Sequence, residues 1–445
     1  MVSDVSVPVS AQLRTAGAHA TNHRTAPWLI AFFRSQVLEI SADGVLRTYG
    51  ACLALTHVLS VAFWLTSRQW QLMHEGSEAI CWPLVPWCGN LRMLSPGQAW
   101  YGLVLFALAA AAVALAFARQ RWTPAAYAGL FLLTIFKVVL VALDYRLRLN
   151  QHYMAFWVCA VYLLVPGKRD ALRLLLVFFY FWSGMLKVNW EWISGAALYR
   201  PLWFFTGRGV IVACAYVVLM ELLVAWGLLA RRSWIFWGAF AQVALFHVMS
   251  WAVVGFFYPV LMFLLLSIFA LDRLFPRPDT RTRSRAETSL LSSLMRGRAP
   301  LATYVAGSVF TAFQLVPYTF PGDRTITGEG RLFALHMFDA QVVCEAWAVV
   351  TSPDGAEAQI DLRAGTLPRI NCDPIVVFGR ARNLCARLSR PGAPANLHVV
   401  LRARRSTESD LRTVIDLPSF CARDLHYDSF RHNDWIQLAG TRSSQ

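Results

Sequence analysis

The sequence predicts an all-α polytopic membrane bundle of about nine transmembrane helices, with a small C-terminal α+β extracytoplasmic domain. The first observation is composition: 57% of the 445 residues are hydrophobic and 15% are charged, which is too apolar for one soluble core. The second is a series of runs that approach or exceed the ~18–20 apolar residues needed to cross a bilayer. The third is a change after residue 323 to short segments with strand composition.

The chain begins with a polar stretch, and residues 1–44 are predicted to form a cytoplasmic, disordered tail. The stretch before Val45 is interpreted as lacking the apolar h-region of a signal peptide, so no removable signal peptide is expected. The formal net charge of +15 suggests a nucleic-acid partner, but the arginines cluster in short loops between apolar runs, as topology signals do. The composition therefore favours the lipid bilayer, and not nucleic acid, as a partner.

Nine apolar segments within residues 45–318 predict the transmembrane domain. They run over 45–66, 99–118, 125–144, 152–166, 170–188, 209–230, 234–252, 254–271 and 301–317. The last segment is interrupted by Gln314 and ends at Pro317. Arginine and lysine counts in the loops place the N-terminus in the cytoplasm of a multi-pass protein of the plasma (inner) membrane. With nine spans, residues 319–445 lie outside.

Residues 319–445 have the composition of a small α+β domain. The expected strands are "VVCEAWAVV", "AEAQIDL", "LHVVLRARR" and "RTVIDL", with a turn at "SPDG" and a helix in "PIVVFGRARNLCARLSR". Of nine cysteines, six fall on the predicted outer side: Cys81, Cys88, Cys344, Cys372, Cys385 and Cys421. An even set on an oxidising side predicts disulfides, although the alternative of reduced thiols and the pairing stay open. No CxxC pair occurs, so no metal site is expected.

Charged residues inside the predicted spans are the main functional signal. Each costs about 2.5–3.5 kcal/mol at mid-bilayer and therefore needs a partner or a role. The candidates are Lys137, Asp144, Lys187, Glu221, His247 and, in "NQHY", Asn150 and His152. Lys137 and Asp144 are seven residues apart on one predicted helix and share a face. Glu221 is expected to face the bundle, either paired with Lys137 or protonated. His247 and His152 are compatible with purely structural roles.

Lys187 lies in "YFWSGMLKVNWEWISG", directly after an apolar run. Either it snorkels to the membrane interface, or it is desolvated and has a lowered pKa. In the second case a neutral amine in an apolar pocket is a general base. Trp190 and Trp192 would then line the pocket, or else they belong to an interfacial aromatic belt. The sequence has no phosphate loop, HExxH, GxSxG or haem motif that would indicate another chemistry.

Three stretches together resemble the HTTM superfamily, to which the vitamin K-dependent γ-glutamyl carboxylases belong. "FFYFWSGMLKVNWEWISGAAL" is similar to its signature at Tyr180, Phe181, Gly184, Lys187, Asn189, Trp192 and Gly195. "LFHVMSWAVVGFFYPVLM" resembles the family's histidine span, with His247 and Gly255. "FQLVPYTFPGDRTITGEGRLFALHMF" resembles the join between the last span and the outer domain, and "DYRLRLNQHY" matches more loosely. The resemblance covers most of residues 45–345.

The resemblance implies a quinol-dependent carboxylase-like enzyme. In the family, a lysine that aligns with Lys187 deprotonates a membrane hydroquinone, and oxygen converts the anion into a strong base. This base removes a proton from a peptide glutamate, and carbon dioxide adds to the carbanion. His247 and His152 align with histidines that assist. The residues expected to support the pocket are Asn150, Tyr180, Asn189, Glu191, Trp192 and Glu221.

The implied cofactor is a quinol, with O2 and CO2 as co-substrates and without a metal. The alanine- and arginine-rich composition suggests a bacterial chain, so menaquinol is as plausible as reduced vitamin K. Two departures weaken the analogy: the outer region is shorter than that of the animal carboxylases, and Leu186 replaces the family's second lysine. A non-enzymatic accessory protein for maturation or export of a secreted peptide is therefore the alternative. A transporter is a third possibility, although no pair of symmetric broken helices is evident.

Overall fold

The computed structural model describes most of the chain. The described residues are 25–67, 79–85, 88, 96–198, 200, 204–275, 290–336, 341–352, 355–364, 369–389 and 395–438. The helices are α1 Thr25–Ser41, α2 Gly44–Thr66, α3 Pro96–Phe117, α4 Thr123–Ala142, α5 Asn150–Leu164, α6 Lys168–Leu186, α7 Trp190–Ile193, α8 Arg208–Leu222, α9 Ser233–Val254, α10 Phe257–Leu274, α11 Leu290–Leu315 and α12 Arg324–Thr327. A 3-10 segment, Val224–Leu229, continues α8.

A helix lies in each of the nine predicted spans. Within the described ranges, six helices are long and apolar enough to cross a membrane. These six are Gly44–Thr66, Gly97–Phe117, Gln120–Ala142, Arg208–Leu229, Ser233–Val254 and Phe257–Leu274. The chain is thus a multi-pass membrane protein, and six helices in the described ranges, not the predicted nine, have the length and hydropathy of an independent span.

The other three predicted spans are α5, α6 and α11. With 15 residues, α5 is about 22 Å long at 1.5 Å per residue, which is shorter than a hydrocarbon core of about 30 Å. The first turns of α6 contain the charged sequence "KRDALR", and α11 mixes apolar residues with serine, threonine and glycine. Both α5 and α6 contribute many side chains to the buried core. Because other helices surround α5 and α6, these two need less apolar sequence than a lipid-facing span does.

The N-terminal helix α1 corrects the prediction that residues 1–44 form a disordered tail. Residues 1–24 lie outside the described part of the chain, but the next seventeen are helical. Ile40 is fully buried, and Phe33 packs its ring against α4. Trp28 on the same helix is 68% exposed. Apolar residues on both the bundle side and the outward side are typical of a helix that lies at a membrane surface.

An ionic cluster holds together one end of the bundle. Arg169, at the start of α6, contacts Asp43 at 2.6 Å and Asp272 at 3.0 Å. Arg173 contacts Asp272 at 2.9 Å. The Glu39 carboxylate accepts the first backbone N–H of α6 at 2.9 Å, as anions do at helix N-termini. The cluster fixes α1, α2, α6 and α10 to one another at this end.

The C-terminal region is an antiparallel sheet with one helix, as the sequence predicts. Its strands are β1 Val342–Thr351, β2 Glu357–Asp361, β3 Asn396–Arg405 and β4 Arg412–Leu417, in the order β2-β1-β3-β4. The helix α13, Pro374–Leu388, lies against the sheet and buries Val377, Phe378 and Ala381 in a core shared with Val399 and Leu401. The strand composition of "VVCEAWAVV" and "LHVVLRARR" made β1 and β3 predictable.

The six cysteines on the predicted outer side form three disulfides. The pairs are Cys81–Cys88, Cys344–Cys372 and Cys385–Cys421. The prediction of disulfides is confirmed, and the structure supplies the pairing that the sequence left open. The remaining cysteines, Cys52, Cys159 and Cys214, are free thiols inside helices. Two of the disulfides lie in the small domain, where each is worth about 2–4 kcal/mol by restricting the unfolded chain.

The sheet region is joined to the bundle through a buried polar junction. The Tyr145 hydroxyl, which follows α4, donates to Asp373 Oδ2 at 2.9 Å, and Arg331 contacts the same oxygen at 2.5 Å. The Tyr153 hydroxyl on α5 donates to the Phe333 carbonyl at 2.7 Å. These bonds hold the segment 331–336, here called the junction segment, against the end of the bundle opposite the Arg169 cluster.

Candidate functional site: a buried lysine and carboxylate beside a cavity

Lys187 is positioned by the turn that ends α6. Its backbone N–H donates to the Gly184 carbonyl at 2.9 Å, so the residue caps the helix. Asn189 fixes the turn from the other side: its amide nitrogen donates to the Leu186 carbonyl, and its oxygen accepts the Trp192 N–H, both at 2.8 Å. Asn189 therefore orients Lys187 through the backbone as the N-cap of α7.

The Lys187 ammonium contacts the carboxylate of Glu221 on α8. Lys187 Nζ also donates to Ser183 Oγ at 3.0 Å, and Ser183 lies 3.3 Å from Glu221 Oε1. Lys187 and Glu221 are 1% and 0% exposed. Removal of either partner would leave the other charge buried without compensation, which typically costs about 3–5 kcal/mol.

This contact changes two expectations. The sequence suggested that Glu221 pairs with Lys137, whereas its partner is Lys187. The sequence also suggested a lone amine in an apolar pocket, whereas a carboxylate lies against it. The snorkelling alternative does not fit, because the Lys187 side chain is fully buried in the bundle.

Gly184 allows α6 and α8 to approach closely enough for this pair to form. A Cβ atom at Gly184 would lie 3.0 Å from Glu221 Cβ and 3.0 Å from the side chain of Leu222. That separation is tighter than an ordinary van der Waals contact, so a larger residue would push α8 and its carboxylate away from Lys187.

Tyr180 and His247 form a second buried polar pair. Tyr180 lies on α6, one to two turns before Lys187, and His247 lies on α9. The Tyr180 hydroxyl and His247 Nε2 share a hydrogen bond of 2.6 Å. His247 is 0% exposed, and its Nδ1 has no hydrogen-bond partner among the described residues. The rings of Phe246 and Tyr258 pack around the imidazole, with centroids 5.0 and 5.3 Å away. His247 thus lies behind Tyr180 and is held by it.

Lys187 and Tyr180 line a cavity of about 510 Å³, here called the Lys187 cavity. Its walls come from α5, α6, α8, α9, α10 and the junction segment, and most of the lining is apolar. Polar groups on the wall include Arg148, Asn150, Ser183, Tyr258, His336 and Arg369. Trp192 also lines it, and its ring centroid is 4.9 Å from Lys187 Nζ, a cation–π distance. The other candidate, Trp190, is 60% exposed.

Two of the expected supporting residues connect the site to the outer region. The Asn150 side chain, on the cavity wall, bonds to both the backbone N–H and the carbonyl of His336 in the junction segment. Glu191 accepts from Thr407 Oγ1 at 2.6 Å and lies 3.6 Å from Arg405. Asn150 therefore closes the cavity, whereas Glu191 ties α7 to the sheet.

His152 lies apart from Lys187 and His247. It lines a second cavity of about 280 Å³, here called the Lys137 cavity, with Lys137, His57 and Cys159. Asp144 does not join either site: α4 ends at Ala142, two residues earlier than the predicted span. The Asp144 carboxylate instead accepts from the Arg146 guanidinium at 2.7 Å. The sequence-based grouping of His152 with Lys187 is therefore not reproduced by the geometry.

The sequence did not single out Ser183, Arg148, His336 or Arg369 as candidates. Ser183 lies one turn before Lys187, so the i, i+4 spacing carried a signal that it faces the lysine. Arg148 lies two residues before Asn150, and its guanidinium donates to the Ala334 carbonyl at 3.1 Å. His336 and Arg369 reach the cavity only because the junction segment and residues 369–370 fold back over the bundle. No local pattern in the sequence contains that information.

Among the described residues, no group of three or more histidine, cysteine, aspartate or glutamate side chains could hold a metal ion. Comparisons with protein-family models, with curated proteins and with solved structures found no match to this chain. The site is therefore interpreted from its own geometry.

Proposed function

We propose that this chain is an integral membrane enzyme with carboxylase-like chemistry. In this proposal Lys187 accepts a proton from a quinol, and quinol oxygenation is coupled to proton abstraction and carboxylation of a peptide or small molecule. The observation that carries the proposal is the fully buried Lys187–Glu221 pair beside a largely apolar cavity of about 510 Å³. Titratable groups in such clefts are candidates for function.

The cavity residues fit a lipid-soluble quinol. Ligand pockets of about 300–1,000 Å³ with apolar walls and few polar groups are typical for small molecules. An ammonium has three N–H donors, and Ser183 and Glu221 account for two of the positions around Lys187 Nζ. Lys187 and Tyr180 would hold the quinol oxygen, since both line the cavity. When bound, a quinol would supply the electrons that reduce O2.

Entry from the bilayer is supported by the wall between α8 and α9. Val212 and Leu245 line the cavity and are 69% and 60% exposed on the outside of the bundle. Between them, the Tyr216 hydroxyl donates to the Gln242 side chain across the two helices. A lipid-soluble ligand could pass there without crossing water.

Glu221 gives Lys187 a way to act as a base. When the proton of the pair is on nitrogen, the ammonium cannot accept another. When the proton moves to Glu221, the amine becomes neutral and can take a proton from a ligand oxygen. Because both residues are buried, bulk water stabilises neither protonation form, and the pair acts as a unit. The surrounding apolar wall would exclude water that quenches a strong base.

The orientation is also a proposal. The Cys81–Cys88, Cys344–Cys372 and Cys385–Cys421 disulfides all belong to segments that the loop charges assign to the outside. The Arg169 cluster then marks the cytoplasmic end of a plasma-membrane bundle, and the Lys187 cavity faces the extracytoplasmic half. A secreted peptide or protein would reach it from that side.

The test is aerobic incubation of the purified full chain with reduced menaquinone or reduced vitamin K and labelled bicarbonate. We expect oxygen-dependent quinol oxidation and label in a co-purified or added peptide. Lys187→Ala and Glu221→Gln should each reduce turnover by about 100-fold or more, since general acid–base catalysis contributes 10²–10⁴-fold. Arg119→Gln, on an exposed loop far from the cavity, is the matched charge-loss control.

The outcomes separate the candidate functions. Undiminished quinol oxidation in folded Lys187→Ala protein would exclude the assigned base. Co-purification of an unmodified peptide, without quinol oxidation in the wild type, would indicate an accessory protein instead. Solute-driven flux in proteoliposomes but not in empty vesicles would indicate a transporter.

A further inference from the structure

The Lys137 cavity contains a buried lysine, Lys137, which differs from Lys187 in that no carboxylate of the described residues lies in its cavity. Lys137 lies on α4, is 6% exposed, and donates from Nζ to Ser60 Oγ on α2 at 2.8 Å. The Ser60 hydroxyl itself donates to the Thr56 carbonyl at 2.7 Å, so towards Lys137 it can only accept. The acceptor is an uncharged hydroxyl, so the contact is not an ion pair.

No carboxylate from the described part of the chain lines this cavity. Asp144, the first acidic residue after α4 in the sequence, is bound to Arg146. An ammonium at this position would therefore be desolvated without a counterion, which costs several kcal/mol. Lys187, in contrast, has Glu221 against it. The bundle supplies a counterion to one of its two buried central lysines and not to the other.

Two histidines face the same space with unused polar atoms. His57 and His152 are 1% and 5% exposed, and neither ring nitrogen of either residue has a hydrogen-bond partner among the described residues. Both imidazoles are held by aromatic rings: His57 by Phe106 at 5.7 Å, and His152 by Trp64 at 5.0 Å between centroids. Buried polar atoms without partners are rare in native proteins and call for an explanation, such as a bound water, ion or ligand.

The rest of the lining limits the size and character of that ligand. The cavity volume is about 280 Å³, and the remaining wall is mostly apolar, with Trp82, Val138, Val141, Phe156 and Leu332. Arg148 contributes a second cationic group to its edge. A ligand with an anionic head and a short apolar body would match the donors and the wall.

We propose that the Lys137 cavity is a binding site for a small monoanionic carboxylate, with Lys137 as its counterion and His57 and His152 as hydrogen-bonding groups. The site is separate from the Lys187 cavity, although Arg148 lines both. Its occupancy does not depend on quinol chemistry, so binding can be tested without any turnover.

The first experiment is saturation-transfer NMR with acetate and propionate on the purified full chain. We expect a saturable signal from the methyl protons that chloride at equal ionic strength does not displace. Lys137→Gln should weaken binding by about tenfold or more, because the variant removes the buried charge that faces the carboxylate. Arg119→Gln, which removes a cation from an exposed position that does not line the cavity, should leave acetate binding unchanged. No saturable signal in the wild type, or equal binding in Lys137→Gln, would overturn the proposal.

A second measurement uses the wild-type chain, so it does not depend on folding of the variant. Cys159 lines the Lys137 cavity, and Cys214 lines the Lys187 cavity. Acetate should slow the reaction of Cys159 with methyl methanethiosulfonate and leave the rate at Cys214 unchanged, as measured by peptide mass spectrometry. Equal rates at Cys159 with acetate and with chloride would contradict binding in this cavity.

Discussion

Lys187 and Glu221 are 34 positions apart, and their contact depends on the packing of α6 against α8. That a lysine at the end of an apolar run has a role could be predicted from the cost of burying it. Its partner could not, because the sequence offers several acidic residues and no spacing rule connects two helices. His152 shows the same limit: its burial was expected, but its cavity is determined by where α2 and α4 lie beside α5.

A double-mutant cycle on this pair tests whether its members are coupled. Lys187→Met and Glu221→Leu should each destabilise the protein by about 3–5 kcal/mol, because each leaves an unpaired buried charge. The double variant should recover most of that loss, since well-packed apolar residues often replace a buried pair at little cost. The measurement is the free energy of unfolding in detergent. Additive losses in the double variant would show that the two charges do not interact.

At the level of elements, the strands of the small domain were predictable, because their segments have strand composition and a turn signal, "SPDG", separates the first two. Helix α1 was missed because its apolar run, "APWLIAFF", is short and follows a polar stretch, and the two were read together as one polar tail. The predicted fourth span, 152–166, has the same length as α5, which is too short for an independent membrane span. Its contacts with neighbouring helices, and not its own hydropathy, keep it in the bundle.

The junction segment should make stability pH-dependent. Burial, together with the nearby charges of Arg148, Arg331 and Arg369, lowers the pKa of His336 well below its ordinary value. His336 is therefore neutral in the folded chain, whereas in the unfolded chain it takes up a proton near pH ~6.5. Its contribution to stability is present above that pH and is lost as the pH falls below it.

The thermal unfolding temperature should thus fall when the pH is lowered from about 7.5 to about 5.5, and His336→Gln should show a smaller fall than the wild type. His398→Gln, at an exposed position on the sheet, is the matched control and should fall as the wild type does. An identical pH dependence in His336→Gln and wild type would show that this histidine is not the group responsible.

For the whole molecule, topology depends on α11. The Arg169 cluster includes Asp272 near the end of α10, so α11 starts from that end of the bundle. At its other end, the Gln314 side chain donates to the Tyr153 hydroxyl and accepts the Leu335 N–H, both at 2.9 Å, at the junction. With 26 residues, α11 is about 39 Å long, enough to connect the two ends. Its sequence alone did not reach the hydropathy of an independent span.

We therefore expect the N-terminus and the sheet domain to lie on opposite sides of the membrane. Helices α5 and α6 together return the chain to the side of the membrane from which it entered them. They therefore do not change the side on which the sheet domain lies, and α11 determines that side. Alkaline phosphatase fused after Gln445 should be active and a fluorescent protein fused there should be dark, while a fluorescent protein before Met1 should emit. A phosphatase fusion after Arg232, between α8 and α9, should be inactive and serves as the control. If both termini report the same side, α11 does not cross, and the three disulfides would then lie on the same side as α1, which the redox argument for an extracytoplasmic domain does not allow.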